Sequence, residues 1–450
     1  MKFSAKDIAL ASKGELIQEG AAGGFQFDTR ILEKGQWFLA LKGARDGHDF
    51  IPTALDKQCA GVLGQHVPEG WEKGFIAVED TLIGFQNIAR WARKKYNKPV
   101  VGITGSAGKT TTRALIATML QEYGIVHQTS GNFNNHIGVP KTITDAPVDT
   151  DVWVLEMGMS APGEIALLQD IGKPTIRLIS NIGAAHVEGC GSIEGVANAK
   201  GELFAGANAG DICCVNMDDF RVARLPVPAH AIILTYGSTE NCTIRLLSYD
   251  IEDWSTRVSI QTPKGLVQAV IPVPGEFMAI NACAAVAVGH AMGMAPSAIE
   301  RGLAGYQPVG FRMKRERIGS QQFINDSYNA NLLSMKAALQ MLSKIHSPNK
   351  LAILGDMLEM GETEEAAHLE VLLLALRLKI DIAIVGSRFQ QAYLQLSAEQ
   401  QKEIVHCAES SVEMAQHLMK MSQPPQTILL KGSRGIRMER IAEEWRKHVE

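Results

Sequence analysis

The chain reads as an α/β protein of three domains: a small N-terminal α/β domain, a central domain built on a mainly parallel sheet, and a C-terminal Rossmann-like domain. Three observations predict this. Its 450 residues amount to about three domains of roughly 150 residues each. Short apolar runs alternate with helical patterns along most of the chain, the rhythm of doubly wound sheets. That rhythm restarts beyond residue 311. The expected domains are therefore residues 1–97, 98–311 and 312–450.

In the first domain QWFLAL (36–41) and CAGVLG (59–64) are strand candidates, and LIGFQNIARWARKKY (82–96) is helix-like before the break Asn97-Lys98-Pro99. In PVVGITGSAGKTTT (99–112) an apolar run stops at glycine and a helix pattern begins at Lys109. Ala114, Leu115, Ala117, Met119 and Leu120 carry that helix toward a stop at Gly124. Further parallel strands are expected at VWVLEM (152–157), IRLISNIG (176–183), ICCVNMDD (212–219) and AIILTYG (231–237). Between 240 and 273 the segments TIRLLSYDIE, TRVSIQ and LVQAVIPV are more polar and alternating, as antiparallel strands are. INACAAVAVGHAMGM (280–294) is a helix of small residues. QFIND (322–326), KLAILGDM (350–357), DIAIVG (381–386) and TILLKGS (427–433) then supply the strands of the last domain.

Hydrophobic residues make up 46% of the chain and charged residues 20%, an ordinary globular composition with ample core. A formal net charge of −4 gives no electrostatic reason for a nucleic-acid partner. The seven cysteines are odd in number and lack a CxxC, so they read as buried thiols of a reducing compartment. Cys213 and Cys214, adjacent in a strand, should face opposite sides of its sheet. The N-terminal MKFSAKDIALASKGEL has no signal-peptide core, and VLLLALRLKI (371–380) is interrupted by Arg377 and too short to span a bilayer. A cytoplasmic protein without membrane insertion is expected.

The strongest chemical signal is Gly105-Ser106-Ala107-Gly108-Lys109-Thr110-Thr111 between a strand and a helix. Glycines let backbone N–H groups close around phosphate oxygens at a helix N-terminus. Lys109 would neutralise phosphates and Thr110 would offer a hydroxyl to Mg²⁺. The strict phosphate-loop pattern needs glycine at 103, where Ile103 stands. Glu156 ends one strand and Asn181 the next, with His186 in the following loop, and such strand ends face the phosphate loop in an α/β sheet. Taken singly, Glu156 reads equally as a solvated carboxylate, His186 as a packed loop histidine and Lys200 as a surface lysine.

Together these segments resemble the ordered motif set of the Mur ligase family. The resemblance rests on GSAGKTT, TSGNFNNHIGVP (129–140), LEMGMSAPGEI (155–165), NIGAAHVEGCGSIEGVANAKGELF (181–204), NDSYNAN (325–331), LGDMLEMG (354–361) and KGSRGIRME (431–439). It spans about Asp28 to Glu439. NDSYNAN, LGDMLEMG and KGSR are similar to the branch that adds D-alanyl-D-alanine to UDP-N-acetylmuramoyl-tripeptide, and FDTR (27–30) with FLALKG (38–43) to its UDP-binding module.

The resemblance implies an ATP-dependent amide ligase acting through an acyl phosphate, with an N-terminal substrate domain and a central sheet of P-loop ATPase type. It implies that Gly105, Ser106, Ala107, Gly108, Lys109, Thr110 and Thr111 bind ATP with Asn281 and Asp326, and that Arg312 contacts the phosphate region. Two magnesium ions would be held by Thr110, Glu156, His186 and Lys200, the last as a carbamylated lysine. Arg30 and Lys42 would touch the UDP end, Asn132, Asn134 and Asn135 would line the central cleft, and Tyr328, Asn329 and Asn331 would lie near the incoming dipeptide. A monomer is expected. The chain departs from the family where a His-Asn pair often precedes Asn281, since Phe277 and Met278 stand there, and at Leu332, often a proline. The competing readings are the diamino-acid-adding relative, folylpolyglutamate synthase, and a regulatory protein that binds nucleotide without catalysis.

Overall fold

The computed structural model describes residues 1–252 and 254–450; Asp253, inside the antiparallel stretch expected between 240 and 273, lies outside them. The strands of the described residues form three sheets. In the first, β1 (Glu15–Gln18), β2 (Phe25–Gln26), β3 (Trp37–Leu39), β4 (Gly61–Gly64) and β5 (Gly74–Ala77) take the order β1-β5-β4-β3-β2, parallel except for β1. Helices α1 (Ala5–Ser12), α2 (Ile51–Asp56) and α3 (Thr81–Lys95) accompany it. Asp80 caps α3 by accepting from the Ile83 N–H at 2.9 Å, and Arg93, Lys94 and Lys95 suit the negative end of its dipole. The Tyr96 ring, just past that helix, stacks on Trp153 with centroids 3.8 Å apart. This first unit and the central sheet share one hydrophobic core running from Phe25 and Trp37 to Trp153 and Ile165.

The central sheet has nine strands in the order β14-β13-β12-β11-β10-β9-β6-β8-β7. They are β6 (Val100–Thr104), β7 (Val126–Gln128), β8 (Val152–Glu156), β9 (Ile176–Ile179), β10 (Ile212–Asn216), β11 (Ile232–Gly237), β12 (Ile244–Glu252), β13 (Ser255–Thr262) and β14 (Gly265–Ile271). Strands β6 to β12 are parallel, and β13 and β14 extend the sheet antiparallel. β6, β8 and β9 are buried throughout, as strands covered on both faces must be. Cys213 packs into the core on one side of this sheet and Cys214 into that on the other.

Around the sheet lie α4 (Lys109–Met119), α5 (Gly138–Asp145), α6 (Glu164–Gly172), α7 (Val187–Cys190), α8 (Ile193–Ala205), α9 (Glu276–Ala291) and α10 (Pro296–Ala304). The helix after the glycine loop stops at Met119, and the chain tightens into a 3₁₀ turn at Leu120–Glu122 before Gly124. Residues 121–123 are exposed, so no packing holds the wider α-turn there.

The third sheet runs β15-β16-β20-β17-β18-β19, comprising β15 (Lys314–Ile318), β16 (Gln321–Asp326), β17 (Lys350–Gly355), β18 (Asp381–Val385), β19 (Ile404–Ala408) and β20 (Thr427–Lys431). It is parallel apart from the edge strand β15. Among its helices are α11 (Leu332–Lys344) and α12 (Glu364–Arg377). No helix among the described residues is long and apolar enough to cross a membrane.

Candidate active site

β6 lies between β9 and β8, so the central sheet reverses its strand order there. Ligands of open α/β sheets sit at the carboxyl ends of strands at such a point. A cavity of about 780 Å³ opens there, walled by the loops after β6, β8 and β9 and by the C-terminal domain.

Its floor is the glycine loop. Gly105 and Gly108 have φ of +155° and +76°, and a Cβ on Gly105 would lie 1.9 Å from Ser180 Oγ, so only glycine fits at 105. The loop is fastened from the next strand end. The Ala107 N–H donates to Asn181 Oδ1 at 2.8 Å, Asn181 Nδ2 to the Ala107 carbonyl at 3.0 Å, and the Gly183 N–H to Ser106 Oγ at 2.9 Å. Asn181, just past β9, is therefore spent on the loop backbone. Lys109 Nζ donates to the Gly105 carbonyl at 2.7 Å, folding its ammonium back over the loop. Burial pushes the Lys109 pKa down and Glu156 works against that shift. Ser106 to Thr111 all line the cavity.

Glu156 ends β8 with 2% exposure, and one oxygen accepts from Asn134 Nδ2 at 2.9 Å. Its Oε2 is buried without a hydrogen-bond partner among the described residues, 3.9 Å from Arg113 Nε. An orphaned carboxylate oxygen beside a phosphate loop is the donor a hard divalent cation takes. His186, at φ +60°, lies 3.2 Å through Nδ1 from Glu359 of the C-terminal domain. Burial, then Lys109 and Lys200, push its pKa down to about 4. The ring is therefore neutral near pH 7, as a metal ligand must be. Lys200 is fully buried on α8 and is not among the side chains lining the cavity. Its Nζ lacks a hydrogen-bond partner among the described residues, and burial followed by Lys109 holds its pKa well below the lysine range. Among the described residues no three His, Cys, Asp or Glu side chains gather as a ligand set.

The opposite wall belongs to the C-terminal domain. Asp326 ends β16 and pairs with Lys431 at the end of β20 at 2.5 Å, while its other oxygen accepts from the Met313 N–H at 3.2 Å. The Arg312 guanidinium lies 3.6 Å over the Tyr328 ring. Asn331 caps α11 in a capping box with Ser334 and donates to the Ser106 carbonyl at 3.1 Å, bridging the two domains at the loop itself. Tyr328, Asn329 and Asn331 line the cavity, as do Asn132, Asn134 and Asn135. Asn135 Oδ1 also accepts from the Gly138 N–H at 2.9 Å in the turn that leads into α5. Asn281 Oδ1 accepts from Thr112 Oγ1 at 3.1 Å beneath Gly108. Near it Val273, Phe277, Met278 and Met313 make one end of the cavity apolar.

Arg30 and Lys42 are not among the cavity-lining side chains. Arg30 is exposed and paired with Asp28, and Lys42 bridges to Asp46 through backbone. The adjoining Phe27 packs edge-on to Phe133 with centroids 6.2 Å apart, which sets that N-terminal loop beside Asn132–Asn135.

Sequence reasoning gave no role to Arg113, Glu359 or Lys431. Arg113 stands one turn after Lys109 on the same face of α4, a signal that was available. Glu359 and Lys431 stood inside quoted motifs, and only the fold brings them to His186 and Asp326.

The sequence profile of the Mur ligase middle domain matches residues 103–289, and that of the Mur ligase glutamate ligase domain matches 311–434. The UDP-N-acetylmuramoyl-tripeptide–D-alanyl-D-alanine ligase of Bacillus subtilis (strain 168) is 35% identical over 459 aligned positions, covering 99% of this chain and 98% of its own. The crystal structure of MurF from Acinetobacter baumannii superposes with a TM-score of 0.91 at 26% identity, covering 99% of both chains. That of MurF ligase from Thermotoga maritima in complex with ADP gives 0.84 at 25% identity over 95% of this chain and 98% of that one.

Proposed function

The chain belongs to the Mur ligase family, and from that premise we propose that it joins D-alanyl-D-alanine to UDP-N-acetylmuramoyl-tripeptide at the expense of ATP, a step of peptidoglycan synthesis. One observation carries the reading: a phosphate loop with a buried, orphaned carboxylate beside it faces the Asp326–Asn331 segment across a single cavity. The curated relatives that match nearly the whole chain at about a third identity are named for this ligation, so the diamino-acid, folate and non-catalytic readings are not carried forward.

ATP lies with its phosphates on Ser106–Thr111, its ribose toward Asp326 and its base toward Asn281. The γ-phosphoryl group passes to the terminal carboxylate of the tripeptide, giving an acyl phosphate and ADP. The amine of D-alanyl-D-alanine then attacks that carbonyl, and phosphate leaves through a tetrahedral intermediate. Phosphoryl transfer asks the protein mainly for charge and alignment, which Lys109 and Arg312 supply. Magnesium, when bound, neutralises phosphate charge; Thr110, Glu156, His186 and Lys200 would hold two ions, and Glu156 Oε2 fits that use. Lys200 would serve as a carbamate, because its buried, low-pKa amine is the neutral form that reacts with CO₂.

Arg30 and Lys42 take the UDP end. Asn132, Asn134 and Asn135 flank the peptide's path, and Tyr328, Asn329 and Asn331 receive the dipeptide. Domain limits at 97/98 and 311/312, a monomer and a cytoplasmic location complete the proposal. Asn331 on Ser106 and Glu359 on His186 tie the C-terminal domain over the loop, which keeps water from the acyl phosphate. The test is phosphate release with each substrate omitted in turn. Release should require ATP, UDP-tripeptide and dipeptide together, and release independent of the dipeptide would overturn the assignment.

A further inference from the structure

The apolar end of the cavity has a neighbour. A separate pocket of about 190 Å³ lies between α9 and α11, with Ile251, Ile280, Gln340 and Met341 among its lining. Phe277 and Ala337 line both this pocket and the main cavity, so the Phe277 ring is part of the partition between them. The ring is fixed from below. Gly275 stands at φ +135°, and a Cβ there would come within 2.3 Å of Phe277 Cε1, so the ring rests directly on a backbone position that takes glycine. Phe277 also packs against the hydrophobic cores of both the central and the C-terminal domain.

Phe277 and Asn281 are four residues apart on α9 and share a face. A nucleotide with its phosphates on Lys109 and its ribose toward Asp326 brings its base to this end, where Val273, Met278 and Met313 offer apolar contact. We propose that Phe277 is a specificity-determining residue of the nucleotide site: its ring ends the base site, and the pocket beyond it takes a small apolar substituent carried on the purine once the ring is removed. The size is adequate, since an apolar cavity of about 150 Å³ is enough to hold benzene. The inference deepens the ATP-ligase reading and rests on it. It makes the wild-type protein selective against purines enlarged on the side that meets the ring.

The test compares kcat/KM for ligation with ATP, N6-benzyl-ATP and 8-benzylamino-ATP. Wild type should use both analogues poorly. In Phe277→Ala the analogue-to-ATP ratio should rise by about tenfold or more for one of them, the scale on which apolar pockets discriminate. Adding Gln340→Trp, which fills the side pocket from its exposed rim, should reverse the gain. If the alanine variant melts early, Phe277→Leu decides the matter, with a smaller gain in the same direction expected. No gain in whichever variant folds, or a wild type that uses both analogues as readily as ATP, overturns the proposal. Failure of the wild type to ligate with ATP itself would instead count against the ligase reading.

Discussion

Lys431→Met should destabilise the C-terminal domain strongly, and a second substitution should restore stability without restoring nucleotide binding. Lys431 Nζ sits 2.5 Å from Asp326 Oδ2, with side-chain exposures of 2% and 11%. It also donates to the Asn329 carbonyl at 3.2 Å. Removing the ammonium leaves a nearly buried carboxylate with one backbone donor, the Met313 N–H. Breaking one side of such a pair costs about 3–5 kcal/mol, because the surviving charge is stranded. In a unit of this size that corresponds to a midpoint lower by roughly 10–15 °C. Replacing both partners, Asp326→Leu with Lys431→Met, removes the stranded charge and should recover most of the loss. Hydrogen exchange of β16 and β20 during thermal denaturation reads the domain separately from the rest of the chain. Wild type at 100 times the Kd of an ATP analogue should gain about 2.7 kcal/mol, and the double variant should gain nothing. A single variant within about 1 kcal/mol of wild type would refute the reasoning about the pair. A double variant that still binds the analogue normally would refute the ribose contact at Asp326.

Lys109→Ala should lower kcat by at least about a hundredfold and leave the melting temperature close to wild type, because the loop is held by Asn181 and Ser180; steady-state ligation beside a melting curve checks both. Lys200→Ala should lose most activity and regain part of it with acetate, whereas Lys200→Arg should be inactive and resist rescue, and a fully active arginine variant would exclude the carbamate. His186 has a folded-state pKa of about 4 against 6.5 unperturbed. The unfolded chain therefore takes up the proton first, and stability fully present above pH 6.5 is lost as the pH falls through that window. Urea midpoints between pH 4 and 7.5 should show a shallower acid-side loss in His186→Ala, and an unchanged slope would contradict the assignment.

The parallel core strands were legible because they are buried on both faces and read as unbroken apolar runs, as at residues 152–155 and 382–385. β15, with the sequence KRERI, escaped notice because an edge strand with one dry neighbour carries charge on most positions. β7 is three residues long and β2 two, too short for any period to show. Of the site, the glycine loop was legible as chemistry, while Glu156 at its strand end read equally as a solvated carboxylate. Lys200 was not: a lysine on a helix reads as surface until the fold shows it buried without a partner. The pairing of Glu359 with His186 and of Lys431 with Asp326 depends on how domains and strands far apart in the chain meet, and no local pattern encodes that.

The central claim is that an acyl phosphate links ATP cleavage to amide formation, and one isotope measurement reads it directly. UDP-N-acetylmuramoyl-tripeptide labelled with ¹⁸O in its terminal carboxylate is incubated with the protein, ATP, Mg²⁺ and D-alanyl-D-alanine, and phosphate and nucleotide product are weighed by mass spectrometry. The account predicts a pentapeptide product that keeps one ¹⁸O in its new amide carbonyl, with the other transferred to phosphate, in equal amounts. Phosphate free of ¹⁸O, or released without the pentapeptide, would contradict it.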